Sequence, residues 1–480
     1  MKSNHVCEGF LTYPSVVIIT LGILGTLAHF RHFYGLGCRE EAMSQINVGI
    51  IGFGTVGAGT FEVLTTNREI ITDRVGAEVV VKKIADIDIE SDRGLPVPPL
   101  KETLTVDAMD LINDPEIDLV VELMGGMNKA KEFILKAMEN GKHVVTANKA
   151  LLAEYGSEIY RAAEQHGVGL AFEASVGGGI PIVGALRTGL SGNRIQTCIG
   201  ILNGTSNYIL TKMTQEGLPF TRVVQEAVSL GFAEDPPTLD VDGTDAAHKL
   251  AIIISIASGS PVSFKDIYRE GIVAVTPDDI RFADEFGYRI KLLAIAKDLG
   301  DRLEARVHAA MIPKDHILAN VNEAFNAIYI EGDFVGPNLY YGLGAGRRPT
   351  GSAVVSDIIS LAREIRSGTK ELMPPLAHVR PPANKIVIQP IEDLITPYYF
   401  RFSTLDTPGV LSRIAGILSE HEISISSVIQ KGRKTKGPVS IVMLTHEARE
   451  SAAQKAISSI DKLDVVAEKT VVIRVEGNHL

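Results

Sequence analysis

The residues best suited to chemistry crowd into one stretch, Gly231-Phe232-Ala233-Glu234-Asp235-Pro236-Pro237-Thr238-Leu239-Asp240-Val241-Asp242-Gly243-Thr244-Asp245-Ala246-Ala247-His248-Lys249, where five acids fall within twelve positions. Two prolines and a glycine predict an irregular loop for its first part. The apolar continuation Leu250-Ala251-Ile252-Ile253-Ile254 predicts a buried helix beginning near Thr244. Asp245 and Lys249 stand four residues apart, so on a helix they share a face and can bond. On a surface helix that pairing would be an ordinary ion pair. On a helix entering a core the lysine loses solvation and its pKa falls, and a carboxylate can steer it to pass a proton to or from a substrate alcohol. A second lysine, Lys149 in Thr146-Ala147-Asn148-Lys149, follows a predicted strand. It is either a capping cation on a loop or a ligand contact at the carboxyl edge of a parallel sheet.

Gly52-Phe53-Gly54-Thr55-Val56-Gly57 points to phosphate binding. GxGxxG alone is a weak signal, but here it follows a predicted strand over 46–51 and opens a helical stretch to about residue 72. Gly52 would make the tight turn and Gly54 would admit a pyrophosphate to the backbone. Gly57 would allow close helix–strand packing, with phosphate at the helix N-terminus. Phe53, Thr55 and Val56 complete the loop. Asp86 falls at the end of the next strand, where it would bond a ribose 2′-hydroxyl and favour NAD. Lys82, Lys83 and Arg93 nearby would equally suit a 2′-phosphate, so NAD and NADP both stay open. The plain alternative is a glycine-rich turn with no ligand.

Elements that position these groups follow from the pattern. Strands predicted at 46–51, 78–85, 117–123, 143–146 and 168–172 alternate with helices, which means a doubly wound parallel sheet of Rossmann type over residues 44–172. Beyond Glu173 the chain becomes mixed α+β. Residues 373–397 hold six prolines and predict an extended linker, and 398–480 read strand, helix, strand, strand, helix, strand, a ferredoxin-like module. Lys+Arg 47 against Asp+Glu 58 gives a net charge of −11, which argues against a nucleic-acid-binding body. Hydrophobic residues at 45% and charged residues at 22% fit a globular chain rather than a disordered one. Three cysteines make neither a disulfide scaffold nor a CxxC site, and a soluble cytoplasmic protein is the expectation.

Residues 1–43 stand apart. Positions 10–30 lack any Asp, Glu, Lys or Arg, and that length just reaches a membrane span. A signal peptide would need an A-x-A site, which is missing. The third reading, a start at Met43, fits the regular strand–loop–helix text that begins at Ser44.

At these motifs the chain resembles homoserine dehydrogenase, in its bacterial single-function form with a C-terminal ACT domain. The resemblance spans residues 46–476 and rests on the Gly52–Gly57 loop, Thr146-Ala147-Asn148-Lys149-Ala150-Leu151, Phe172-Glu173-Ala174-Ser175-Val176-Gly177-Gly178-Gly179-Ile180-Pro181, Leu202-Asn203-Gly204-Thr205-Ser206-Asn207-Tyr208, the Gly231–Lys249 stretch, and Gly344-Ala345-Gly346 with Pro349-Thr350 and Ser352-Ala353. It implies reversible hydride transfer between L-homoserine and L-aspartate 4-semialdehyde with NAD or NADP. It implies Lys249 as proton donor and Asp245 holding both that lysine and the substrate hydroxyl. Glu234 and Asp240 would bind the substrate's amino group and neighbouring polar atoms. Lys149 would touch substrate and cofactor, with Gly231 near the nicotinamide and Gly346 in the cofactor site. A monovalent cation, Na+ or K+, would sit on Glu173, Val176, Gly178 and Ile180. The implied layout is a catalytic and dimerisation domain at 173–335, a return to the cofactor domain at 336–372, and an ACT domain at 398–480. Asp406-Thr407-Pro408-Gly409 opens that last domain's first helix, where free N–H groups can hold a carboxylate. Threonine is the implied effector, and a homodimer or homotetramer the implied assembly, with neither nucleic acid nor membrane as partner. Pro236 departs from the family's loop, which has a polar residue there.

Two other readings compete. A non-catalytic amino-acid sensor would have lost its reactive residues, yet Lys149, Asp245 and Lys249 are all present. An aldehyde dehydrogenase working through a thiohemiacetal needs a cysteine nucleophile, and Cys198, the only cysteine after residue 43, lies outside the site motifs.

Overall fold

The computed structural model describes residues 44–477 apart from 234, 370, 381, 383–385 and 432–436. The apolar segment 1–43 and the substrate candidate Glu234 therefore lie outside the described residues. Among the described residues no helix is long and apolar enough to cross a membrane.

The first layer is a parallel sheet of β1 (Gln45–Ile51), β2 (Glu78–Ala85), β3 (Leu104–Thr105), β4 (Leu119–Glu122), β5 (His143–Thr146) and β6 (Leu170–Ala171), in the order β3-β2-β1-β4-β5-β6. Consecutive residues of β1 and β4 are buried, so both faces are covered, which is why these strands read as near-continuous apolar runs. Strand order reverses between β1 and β4, and the crevice at their carboxyl ends is where such sheets bind ligands. The two-residue β3 is too short for any sequence pattern to reveal.

The second layer is a mixed sheet containing β7 (Ile195–Ile201), β8 (Tyr268–Arg269), β9 (Tyr288–Asp298), β10 (Leu303–Pro313), β11 (Phe325–Gly332) and β12 (Gly336–Leu343). It continues without a break into the C-terminal module. There β14 (Tyr398–Thr404), β15 (Ile425–Gln430), β16 (Val439–Thr445) and β18 (Val466–Val475) run in the order β18-β14-β16-β15, with helices Val410–Glu420 and Glu450–Ile460. That is the ferredoxin-like arrangement. A short separate ladder pairs β13 (Ile395–Thr396) with β17 (Ala448–Arg449). The join is a parallel pairing of β10 with β18, Ala310 beside Arg474 and Met311 beside Val475.

Buried charge locks that join. The Arg474 guanidinium donates to both Glu450 oxygens (2.8 and 2.6 Å), to Glu270 (2.9 Å) and to the Tyr268 hydroxyl (3.2 Å), while Arg306 pairs with Glu476. The proline-rich segment before the module is extended but not loose. Leu303 N–H donates to the Val387 carbonyl and Gln389 N–H to the Leu303 carbonyl, and Leu376 is buried.

Two helices tie the layers to the site. Helix Thr244–Ser258 is buried from Thr244 to Ile256, with its acid and lysine in the first turn and a half. Helix Arg347–Ser367 returns to the cofactor layer and crosses helix Thr55–Thr66 at Gly351 and Gly59. A Cβ on Gly351 would lie 2.6 Å from the Gly59 carbonyl carbon, so side chains at the crossing would hold the helices apart. Residues 336–343 do not belong to that return, because they pair with β11 as a hairpin strand.

Candidate active site

The glycine loop is built as its spacing predicts. Gly52 has φ 95°, and a Cβ there would strike the backbone of Leu123 and Met124 at 2.7 Å. Gly57 packs so tightly that a Cβ would reach the Gly52 carbonyl oxygen at 2.1 Å. Gly54 faces open space, the room a pyrophosphate requires, at the N-terminus of helix Thr55–Thr66. Asp86 follows the end of β2, as expected, and its carboxylate accepts the Phe53 N–H and the Asp88 N–H (2.8 Å). Arg93 lies 3.9 Å from it, so an anion binder stands beside the ribose-binding candidate. Gly231 (φ 74°) also faces open space, and Gly346 (φ 123°) opens the return helix.

Lys249 projects from the first turns of the Thr244–Ser258 helix. Its Nζ donates to Asp245 Oδ2 at 2.7 Å and to the Leu202 carbonyl at 2.6 Å. An ammonium has three N–H donors, so one is left for a substrate. Lys149, the first residue of helix Lys149–His166, brings its Nζ to 3.3 Å from Asp245 Oδ1, and its side chain keeps 42% exposure. Asp245 thus takes one lysine on each oxygen. Burial works to raise its carboxyl, but Lys249 and Lys149 override this and hold it well below the usual carboxylate range. Burial lowers the Lys249 ammonium, and the charge of Lys149 adds to that, against the pull of Asp245. Asp240, half-buried, is raised by burial and by Asp245.

Two residues left without a role by sequence reasoning belong here. Asn203 donates to Asp240 Oδ1 (2.7 Å) and Asp245 Oδ2 (2.9 Å). Glu122, ending β4, accepts the Thr146 hydroxyl (2.6 Å) and the Met124 N–H (2.9 Å), and burial pushes its carboxyl up to about 7. Asn148 in turn donates to the Gly126 carbonyl at 2.7 Å, so the loops after β4 and β5 are tied together. An asparagine at a strand-to-helix turn is a capping signal in any sequence, whereas a bridge between residues 37 and 42 positions downstream has no local signature.

Glu173 is buried, and its two carboxylate oxygens accept the N–H groups of Val183 (2.8 Å) and Gly184 (2.6 Å). Burial raises its pKa. One lone pair remains on each oxygen, and a buried carboxylate raised in this way is one that a hard cation would suit. Cys198 is buried and its thiol is pushed up to about 12, so it is no nucleophile at neutral pH. The Asp235–Pro236 bond is cis.

A parallel sheet of this strand order, a glycine loop at its switch point and a lysine–carboxylate pair at the sheet's carboxyl edge together define an NAD(P)-dependent oxidoreductase. Residues 52–173 match the homoserine dehydrogenase NAD-binding domain, residues 181–359 the homoserine dehydrogenase family, and residues 398–465 the ACT domain. The chain is 44% identical to a homoserine dehydrogenase from Neisseria gonorrhoeae over 91% of this chain and 100% of that one, and 46% identical to one from Pseudomonas aeruginosa over 90% and 99%. The solved structure of a homoserine dehydrogenase from Thiobacillus denitrificans superposes with a TM-score of 0.84 at 46% identity, covering 91% of this chain and 99% of that one. The chain belongs to the homoserine dehydrogenase family, and its reaction is the reversible NAD(P)-dependent interconversion of L-aspartate 4-semialdehyde and L-homoserine.

Proposed function

We propose that Lys249 is the proton donor in the reducing direction and Asp245 its orienting group. The observation that carries this reading is the Lys249 ammonium, held by Asp245 and the Leu202 carbonyl with a third donor left over. The bound dinucleotide supplies the hydride to the aldehyde carbon. As the carbonyl oxygen gains charge, Lys249 gives it a proton, and its neutral amine is stabilised by the desolvation that already lowers its pKa. Asp240 and Glu234 seat the substrate's amino group. Lys149, sharing Asp245, contacts substrate and cofactor. The Gly52–Gly57 loop, Gly231 and Gly346 hold the dinucleotide, with Asp86 on the ribose. Glu173 and the carbonyls of Val176, Gly178 and Ile180 form a seat for Na+ or K+.

The ACT domain supports amino-acid regulation, and threonine is the effector we infer. Its edge strand β15, with alternating half-buried and exposed residues, and the opposite edge β12 are surfaces through which further copies would pair as a dimer or tetramer. The test is oxidation of L-homoserine followed at 340 nm with NAD and NADP in parallel, each with and without threonine. The expected outcome is turnover with at least one dinucleotide and a fall in rate with threonine. A rate indifferent to threonine would remove the effector assignment, and the ratio of the two rates reports what Asp86 and Arg93 select.

A further inference from the structure

The dipeptide Leu202–Asn203, where β7 gives way to helix Gly204–Glu216, touches every buried charge of the acid–base cluster. Its Leu202 carbonyl accepts Lys249 Nζ at 2.6 Å, with Asn326 Nδ2 supporting the same oxygen at 3.0 Å. Its Asn203 amide reaches Asp240 and Asp245 at 2.7 and 2.9 Å. The orientation of that amide is decided by its other end. Asn203 is the N-cap of helix Gly204–Glu216, and its Oδ1 accepts the Ser206 N–H at 2.7 Å. Only the nitrogen is then free to face the carboxylates, and it carries two hydrogens for two acceptors. Ser206 Oγ donates to the Asp240 carbonyl at 2.6 Å, which fixes the same residue from its backbone side.

We propose that Asn203 is a positioning residue for the reaction: a neutral two-hydrogen clamp that holds Asp240 and Asp245 side by side as anions, Asp245 aligned on Lys249 and Asp240 turned to the substrate's ammonium. The two aspartates come from different elements, the short helix Thr238–Val241 and helix Thr244–Ser258. Without a donor between them, like charges at this spacing would part or share a proton. An amide is the suitable group for the task. A cation there would neutralise the seat meant for the ammonium, whereas a hydroxyl could satisfy only one of the two carboxylates. The inference rests on the assignment of Lys249 and Asp245 given above.

Asn203→Asp separates the clamp from the cap. Aspartate caps a helix as well as asparagine does, but it presents an acceptor where the two carboxylates need donors. The expected result is an unchanged KM for the dinucleotide with a lowered thermal midpoint, because a third buried carboxylate then faces two others. The KM for homoserine should rise, and kcat/KM for homoserine should fall by about 100-fold, in keeping with loss of two hydrogen bonds to charged groups. Asn203→Ser, which keeps a cap and one donor, should fall between the two, and it serves as the test if the aspartate variant does not fold. Parent-like kcat/KM for homoserine in either variant overturns the clamp and leaves Asn203 as a helix cap alone. Lys249→Ala, assayed beside them, separates the two levels. An inactive Lys249→Ala with an active Asn203→Asp sinks only the clamp, whereas parent-like turnover in Lys249→Ala sinks the underlying assignment.

Discussion

Lys249 and Lys291 are both buried lysines whose pKa burial lowers, and they stand in quite different company. Lys291, on β9, is brought down to about 7, and its Nζ reaches the Asn207 amide oxygen (3.0 Å), the Val321 carbonyl and the Asn322 amide oxygen (3.4 Å). All three of its acceptors are neutral and all three donors are used. Lys249 has one carboxylate and one carbonyl, a donor to spare, and half-exposed Lys149 across the same aspartate. On the assignment proposed above, a perturbed pKa alone does not mark the reactive lysine. An uncommitted donor beside a charge partner, within reach of solvent, does.

The largest effect that tests this contrast is on turnover. Lys249→Ala should fold and bind dinucleotide, and its kcat for homoserine oxidation should drop by about 10² or more, the usual loss for a general acid. Steady-state kinetics beside a dinucleotide titration would measure both.

Lys291→Met should reverse the pattern, leaving kcat largely intact and changing stability in a pH-dependent way. The folded-state pKa near 7 lies below the ordinary lysine value, so between these two the unfolded chain binds more protons, and the stability of the parent rises with pH. The penalty is fully present below about pH 7. It amounts to a few kcal/mol, on the order of 4. Thermal midpoints recorded from pH 6 to pH 10 should climb in the parent relative to Lys291→Met. Parallel curves would mean that Lys291 keeps an ordinary pKa.

The smallest effect belongs to Lys149, the exposed member. Lys149→Met should lower kcat/KM for homoserine by about tenfold, chiefly through KM, as expected for one charged hydrogen bond. A loss equal to that of Lys249→Ala would make the two lysines equal partners and blur the contrast.

Much of this is legible in the amino-acid sequence. Near-continuous apolar runs such as Ile46-Asn47-Val48-Gly49-Ile50-Ile51 and Leu119-Val120-Val121 announce buried parallel strands, because only a sheet covered on both faces tolerates them. The pair Asp245 and Lys249 was visible because helical spacing is local. What stayed hidden depends on pairing between distant segments. The amide of Asn203 meets its aspartates only after two helices fold over it. Glu122 looks like the polar end of a strand until Thr146 and Asn148 are brought against it. Nothing in the text of residues 466–475 says that they will lie beside 303–313. Glu173 has a second use as well, as the acceptor for Val183 and Gly184, which no spacing rule discloses.

The union of β10 with β18 has a consequence for anyone who would cut this protein into parts. A chain ended before β13 would lose the neighbour of β10 and open a strand edge in the middle of a sheet. It would also leave buried Arg306 without Glu476 and Glu270 without Arg474, removing ion pairs that now cross the seam. The C-terminal module is thus no pendant that an engineer could unclip without opening the catalytic sheet. The effector control proposed above is better probed by point changes at the Asp406–Gly409 turn, which leave the seam between the two halves whole.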